Sequence, residues 1–68
     1  MDSTRHAQFI ASAIVANREQ YRVGARSAAD WSAEHRRLWL LAARKRIEPH
    51  VRRLIPSLAA PVARRVGR

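Results

Sequence analysis

The sequence predicts an all-α fold, a helical hairpin over about residues 4–23 and 28–47 with one or two short helices appended at its C-terminal end. Three observations predict it. Apolar residues recur at spacings of three and four in both long segments. A glycine followed by a serine-led cap separates the two segments, and no stretch shows the two-residue alternation of a strand.

The first segment, STRHAQFIASAIVANREQYRVG, opens on Ser3 or Thr4 as an N-cap and closes at Gly24, the residue type that tolerates a left-handed helix end. Between them Ile10, Ile14, Asn17 and Tyr21 form a stripe flanked by Phe9 and Ala13. Asn17 is its polar member and is expected to bond backbone or water. Ser27 and Asp30 have the spacing of a capping box, so the second helix is expected to start there. That helix carries Trp31, His35, Leu38 and Ala42 on one stripe, and Trp31 is expected to close the hairpin against Phe9 or Ile10. Trp39, Leu40 and Leu41 cover much of its remaining circumference, so the Leu38–Ala43 patch is expected to need a further neighbour.

Glu48-Pro49 should end or kink this helix, because the residue before proline avoids the helical region and Pro49 suits a first turn. Val51, Leu54 and Ile55 then share a face, and Pro56 is expected to interrupt again. In this reading residues 1–55 are one small domain. Residues 56–68, with Leu58, Val62 and Val66 four apart, are a basic tail that is helical only conditionally.

At 68 residues the chain sits below the ~70–80 at which one core supplies more than about 3–5 kcal/mol, so a partner is expected to contribute to its stability. The absence of cysteine excludes disulfides and thiolate zinc sites and suits a reducing cytoplasm. His6, His35 and His50 are too scattered for a metal site, and nothing calls for a cofactor. The Leu38–Ala43 run is far shorter than the ~20 residues of a membrane span, and Asp2, Gln8 and Ser12 spoil the N-terminal segment as a signal peptide.

The distribution of charge says more than its total of +9. Residues 1–34 carry four arginines against four acids, whereas residues 35–68 carry ten basic residues against Glu48 alone. Such a one-sided field attracts polyanions. The candidate anion-binding residues are Arg36, Arg37, Arg44, Lys45, Arg46, Arg52, Arg53, Arg64 and Arg65, and Trp39 and Leu40 are the candidate protein-interface residues. Thirteen of the fourteen basic residues are arginine, whose planar fork suits phosphate and carboxylate alike.

The stretch YRVGARSAADWSAEHRRLW, residues 21–39, looks like the short helical hairpin known as SHOCT. Gly24, Ser27, Asp30, Trp31, Leu38 and Trp39 fall into that pattern's register, while Arg26 stands where it has Ile or Leu. The whole chain also resembles the small helical proteins of phages and mobile elements of high-GC bacteria. That second resemblance implies binding to a host protein or nucleic acid and assigns no role to any one residue.

The expected function is therefore a non-catalytic one, binding an anionic partner, nucleic acid ahead of an acidic protein surface, with a second copy of the chain a further candidate neighbour. A DNA-reading helix-turn-helix fits poorly, because the first helix is about twenty residues long and Arg36 and Arg37 come too late to read bases from a helix start. Enzyme chemistry has little to stand on. Glu34 and His35 are adjacent and so point about 100° apart, Ser27 and Ser32 have cap or surface roles, and no glycine-rich phosphate loop is present. Three prolines weaken any membrane-surface helix at the C-terminal end.

Overall fold

The computed structural model describes the backbone of residues 2–66 and the side-chain surroundings of residues 4–59. The chain forms α1 (Asp2–Arg22), α2 (Ala28–Arg44) and α3 (Glu48–Val66), with no strand among the described residues. α1 begins at Asp2, so Ser3 and Thr4 lie inside its first turn instead of capping it.

Both hairpin ends close in the same way. At the end of α1, Gly24 takes φ +82°, its N–H donates to the Tyr21 carbonyl at 3.1 Å, and the Ala25 N–H donates to the Gln20 carbonyl at 2.8 Å. That pair of bonds is a Schellman motif, which satisfies carbonyls the helix leaves open. At the end of α2 the Arg46 N–H donates to Ala43 O and the Ile47 N–H to Ala42 O, each at 3.0 Å. This second Schellman motif places Arg46 at φ 57°, a left-handed position that an L side chain adopts at a cost. α2 therefore ends at Arg44, three residues before the expected boundary at 47. The reversal frees Ile47 to turn into the core, where it is 8% exposed.

α2 starts as its cap residues dictate. The Asp30 N–H donates to the Ser27 hydroxyl at 3.1 Å, and Asp30 places negative charge in the first turn, toward the positive end of the helix dipole. In α3 the Ile47 carbonyl accepts the first helical bond, from the Val51 N–H at 2.9 Å. Pro49 falls in the first turn, where no intrahelical N–H is needed. Pro56, expected to interrupt, does not: α3 runs through it and through Pro61 to Val66 as one helix. The apolar series Val51, Leu54, Ile55, Leu58 stays in helical register across Pro56, so one uninterrupted helix keeps it on a single side. The one or two short C-terminal helices expected are a single helix of 19 residues.

α1 is the common support. α2 and α3 both pack on it, α3 the more extensively, and they touch each other least. The result is a slab with Cα extents of 35 × 29 × 14 Å. Ala7, Ile10, Ala11 and Ile14 from α1 meet Leu38 and Ala42 from α2, Ile47 from the corner and Val51 from α3. Ala7, Ala11 and Ala42 expose no surface, and such small contact residues let helices approach closely. Fully burying Ile10, Ile14, Leu38 and Val51 contributes roughly 1.5–3 kcal/mol each before entropy is counted. Phe9, expected beside the apolar stripe, is instead 67% exposed. It lies about half a turn round α1 from the buried alanines and isoleucines, a position the 3.6-residue period sends to solvent.

Candidate anion-binding surface

Residues four apart on a helix stack one above the other. Trp31, His35 and Trp39 occupy such positions on α2 and build a column of rings. Trp31 stacks on His35 at 5.1 Å between centroids, and His35 meets Trp39 edge-on at 6.3 Å. Each end of the column is closed from another helix. Tyr21 of α1 stacks on Trp31 at 5.0 Å, and the Arg52 guanidinium of α3 lies over the Trp39 ring at 5.2 Å. Trp31 therefore closes the hairpin on Tyr21, not on Phe9 or Ile10, because Tyr21 sits in the last turn of α1 beside the first turn of α2. Asn17 pins the same junction, being buried with its Nδ2 donating to the Trp31 carbonyl at 3.1 Å.

Beyond the column lies a shallow, open depression of about 390 Å³. His35 and Trp39 contribute its aromatic part, Leu40 and Ala43 its aliphatic part, and Ser32, Arg36 and Glu48 its polar part. Leu40 is 58% exposed there, so the Leu38–Ala43 patch divides. Leu38 and Ala42 are buried, Trp39 and Leu41 are half-buried, and Leu40 lacks a covering neighbour among the described residues.

The basic residues expected to act together separate into three groups. Arg37 is engaged within its own helix: its Nε and Nη2 donate to the two Glu34 carboxylate oxygens at 3.0 and 2.6 Å. Hydrogen bonding from Arg37 holds the Glu34 carboxyl below its ordinary range, and Glu34 in turn raises the Arg37 guanidinium. Arg36, Arg44, Lys45, Arg46, Arg52 and Arg53 are exposed and have no carboxylate partner among the described residues. Arg64 and Arg65 lie outside the residues whose side chains are described.

In the N-terminal half, two of the four arginines find a side-chain partner, only one of them a carboxylate, among the described residues. Arg22 pairs with Glu19 three residues earlier, which lowers the Glu19 pKa through the hydrogen bond, and Arg26 donates twice to the Gln20 amide oxygen at 3.1 and 2.8 Å. Arg5 and Arg18 on α1 are also exposed without a carboxylate partner among the described residues, but the densest uncompensated charge lies on α2, its corner with α3 and the start of α3. Sequence reasoning missed the pairing of Arg37, although a glutamate three residues before an arginine on a helix is the signal for it. It also missed the ring column, since Trp39 was grouped with Leu40 and not with His35 four residues before it.

The surface can offer guanidinium forks, one carboxylate and ring faces. No group of three histidines, cysteines or acids that could hold a metal occurs among the described residues, and no described helix is long and apolar enough to cross a membrane. No protein-family model, curated protein or solved structure matches the chain.

Proposed function

We propose that the protein is a non-catalytic binding protein that lays its α2–α3 corner on a nucleic acid. One observation carries this reading. Six cationic side chains, Arg36, Arg44, Lys45, Arg46, Arg52 and Arg53, stand exposed without carboxylate partners among the described residues, while Arg37 is already paired with Glu34. Uncompensated guanidinium groups at this density repel one another, and phosphates relieve that repulsion while releasing condensed counterions.

Binding of labelled duplex and single-stranded oligonucleotides across a salt series tests it. Six phosphate contacts give a log–log salt slope near −5 on duplex and about −4 on single strands. Arg52→Glu with Arg53→Glu abolishes binding at moderate salt. Salt-independent affinity, or no binding to either form, refutes the reading.

The exposure of Leu40 beside Trp39 favours a second reading, docking on an acidic protein surface, as an effector of a mobile element would dock on a host factor. There the order of effects reverses, with Trp39→Ala costing about 2 kcal/mol or more in affinity. A membrane surface is a poorer partner for the start of α3, where Val51 is buried and Leu54 and Ile55 pack against the core.

A further inference from the structure

Glu48 is the acid that the basic surface does not use. It is half-buried, it lines the depression beside Trp39, and it is the one acidic residue among residues 35–68. Arg52 follows it by four positions on α3, the spacing and order at which a glutamate and an arginine pair best on a helix. The pair does not form, because Arg52 lies over the Trp39 ring. Glu48 has neither an ion pair nor a hydrogen-bond donor among the described residues. Glu48 stands in the first turn of α3.

A carboxylate without a donor, set beside an indole in a field of arginines, is a poor contact for phosphate and a good one for a base edge. The depression, about 390 Å³, falls at the small end of the roughly 300–1,000 Å³ range of ligand sites. Its aromatic part suits a planar ring, and Arg36 on its wall and Arg52 over Trp39 are available to flanking phosphates. We propose that this depression takes an unpaired guanine base of a single strand. Its N1–H and exocyclic N2–H donate in parallel to the Glu48 carboxylate while its ring takes the place of the Arg52 guanidinium against Trp39. Guanine is the base that presents two adjacent donors on its pairing edge. Uracil and thymine present one N–H between two carbonyl oxygens, which the carboxylate repels. In a duplex that edge is occupied, so the contact requires an unpaired strand.

This inference rests on the nucleic-acid reading, and one experiment separates the two. An oligothymidine strand and the same strand carrying one central guanosine are titrated with the full chain, followed by anisotropy. The guanosine strand is expected to bind about tenfold tighter, as two hydrogen bonds to a charged acceptor allow. Glu48→Gln, with helicity checked by circular dichroism, is expected to bring the two strands within about twofold while oligothymidine affinity holds or rises. Equal, salt-dependent binding of both strands by the unaltered chain overturns the guanine site and leaves the nucleic-acid reading standing. Binding of neither strand overturns both, provided duplex also fails. A preference that survives Glu48→Gln overturns the role of Glu48. Guanosine monophosphate brings one phosphate where the strand brings several, so displacement of the strand by an equimolar amount of it overturns the strand requirement.

Discussion

Replacing Arg46 by glycine should stabilise the fold. Arg46 occupies the left-handed position of the Schellman motif that ends α2, at φ 57°. An L residue there loses roughly 1–2 kcal/mol relative to right-handed backbone, and a glycine loses about 0.5–1 kcal/mol in extra chain freedom on folding, so the net gain is ~0.5–1 kcal/mol. For a domain of this size that corresponds to a melting temperature higher by about 3–6 °C. Removing a charge beside Arg44 and Lys45 acts in the same direction, and Arg46→Ala isolates that part because it deletes the guanidinium while keeping the Cβ. Thermal denaturation followed by circular dichroism should place Arg46→Gly above Arg46→Ala by about 1 kcal/mol. Gly24→Ala provides the reverse test. A Cβ there meets nothing within 4 Å, so any loss comes from the φ of +82° and should be about 1 kcal/mol. If Arg46→Gly and Arg46→Ala melt together, or Gly24→Ala is neutral, the account of both helix ends is wrong.

Other substitutions probe the core, α3 and the exposed pairs. Leu38→Ala deletes a fully buried side chain at a cost of about 2–5 kcal/mol, comparable with the whole stability of so small a domain, and should abolish the cooperative melting transition. Val51→Ala should cost about 2 kcal/mol, and a neutral result would mean that α3 does not share the core. Pro56→Ala restores a helical N–H inside α3 and should raise stability and helicity by up to ~3 kcal/mol, whereas no change would mean that the helix does not continue through that position. Glu19 and Glu34 have carboxyl pKa values lowered by Arg22 and Arg37, so both pairs contribute fully above the ordinary value of 4.5 and are lost as pH falls through the depressed folded values. Melting temperature should be flat from neutrality down to that value and decline below it. Glu19→Gln with Glu34→Gln should flatten the decline, and an unchanged acid limb would remove these pairs as its cause.

The elements of the fold were legible where local chemistry announced them. Ser27 and Asp30 marked the start of α2 to the residue, and Gly24 marked the turn after α1. The end of α2 was hidden because the left-handed position is filled by arginine, so no glycine signalled it. Pro56 pointed to a break that the register of Val51, Leu54, Ile55 and Leu58 overrides. On α1 the bulky Phe9 drew attention away from Ala7 and Ala11, whose spacing with Ile10 and Ile14 was the better guide to the buried side. For the candidate surface, charge bias pointed to residues 35–68. It could not tell paired Arg37 from unpaired Arg36 without helix geometry, nor show that Arg52 leaves Glu48 for Trp39.

Because α2 and α3 each lean on α1 and barely on one another, any ligand that grips Arg44 and Arg53 together acts as a brace across the slab. A brace of that kind stabilises the native chain by mass action, by about 2.7 kcal/mol at a hundredfold excess over its dissociation constant. The molecule thus carries its own occupancy gauge: candidate polyanions can be ranked by how far they delay its unfolding on heating, with no label attached.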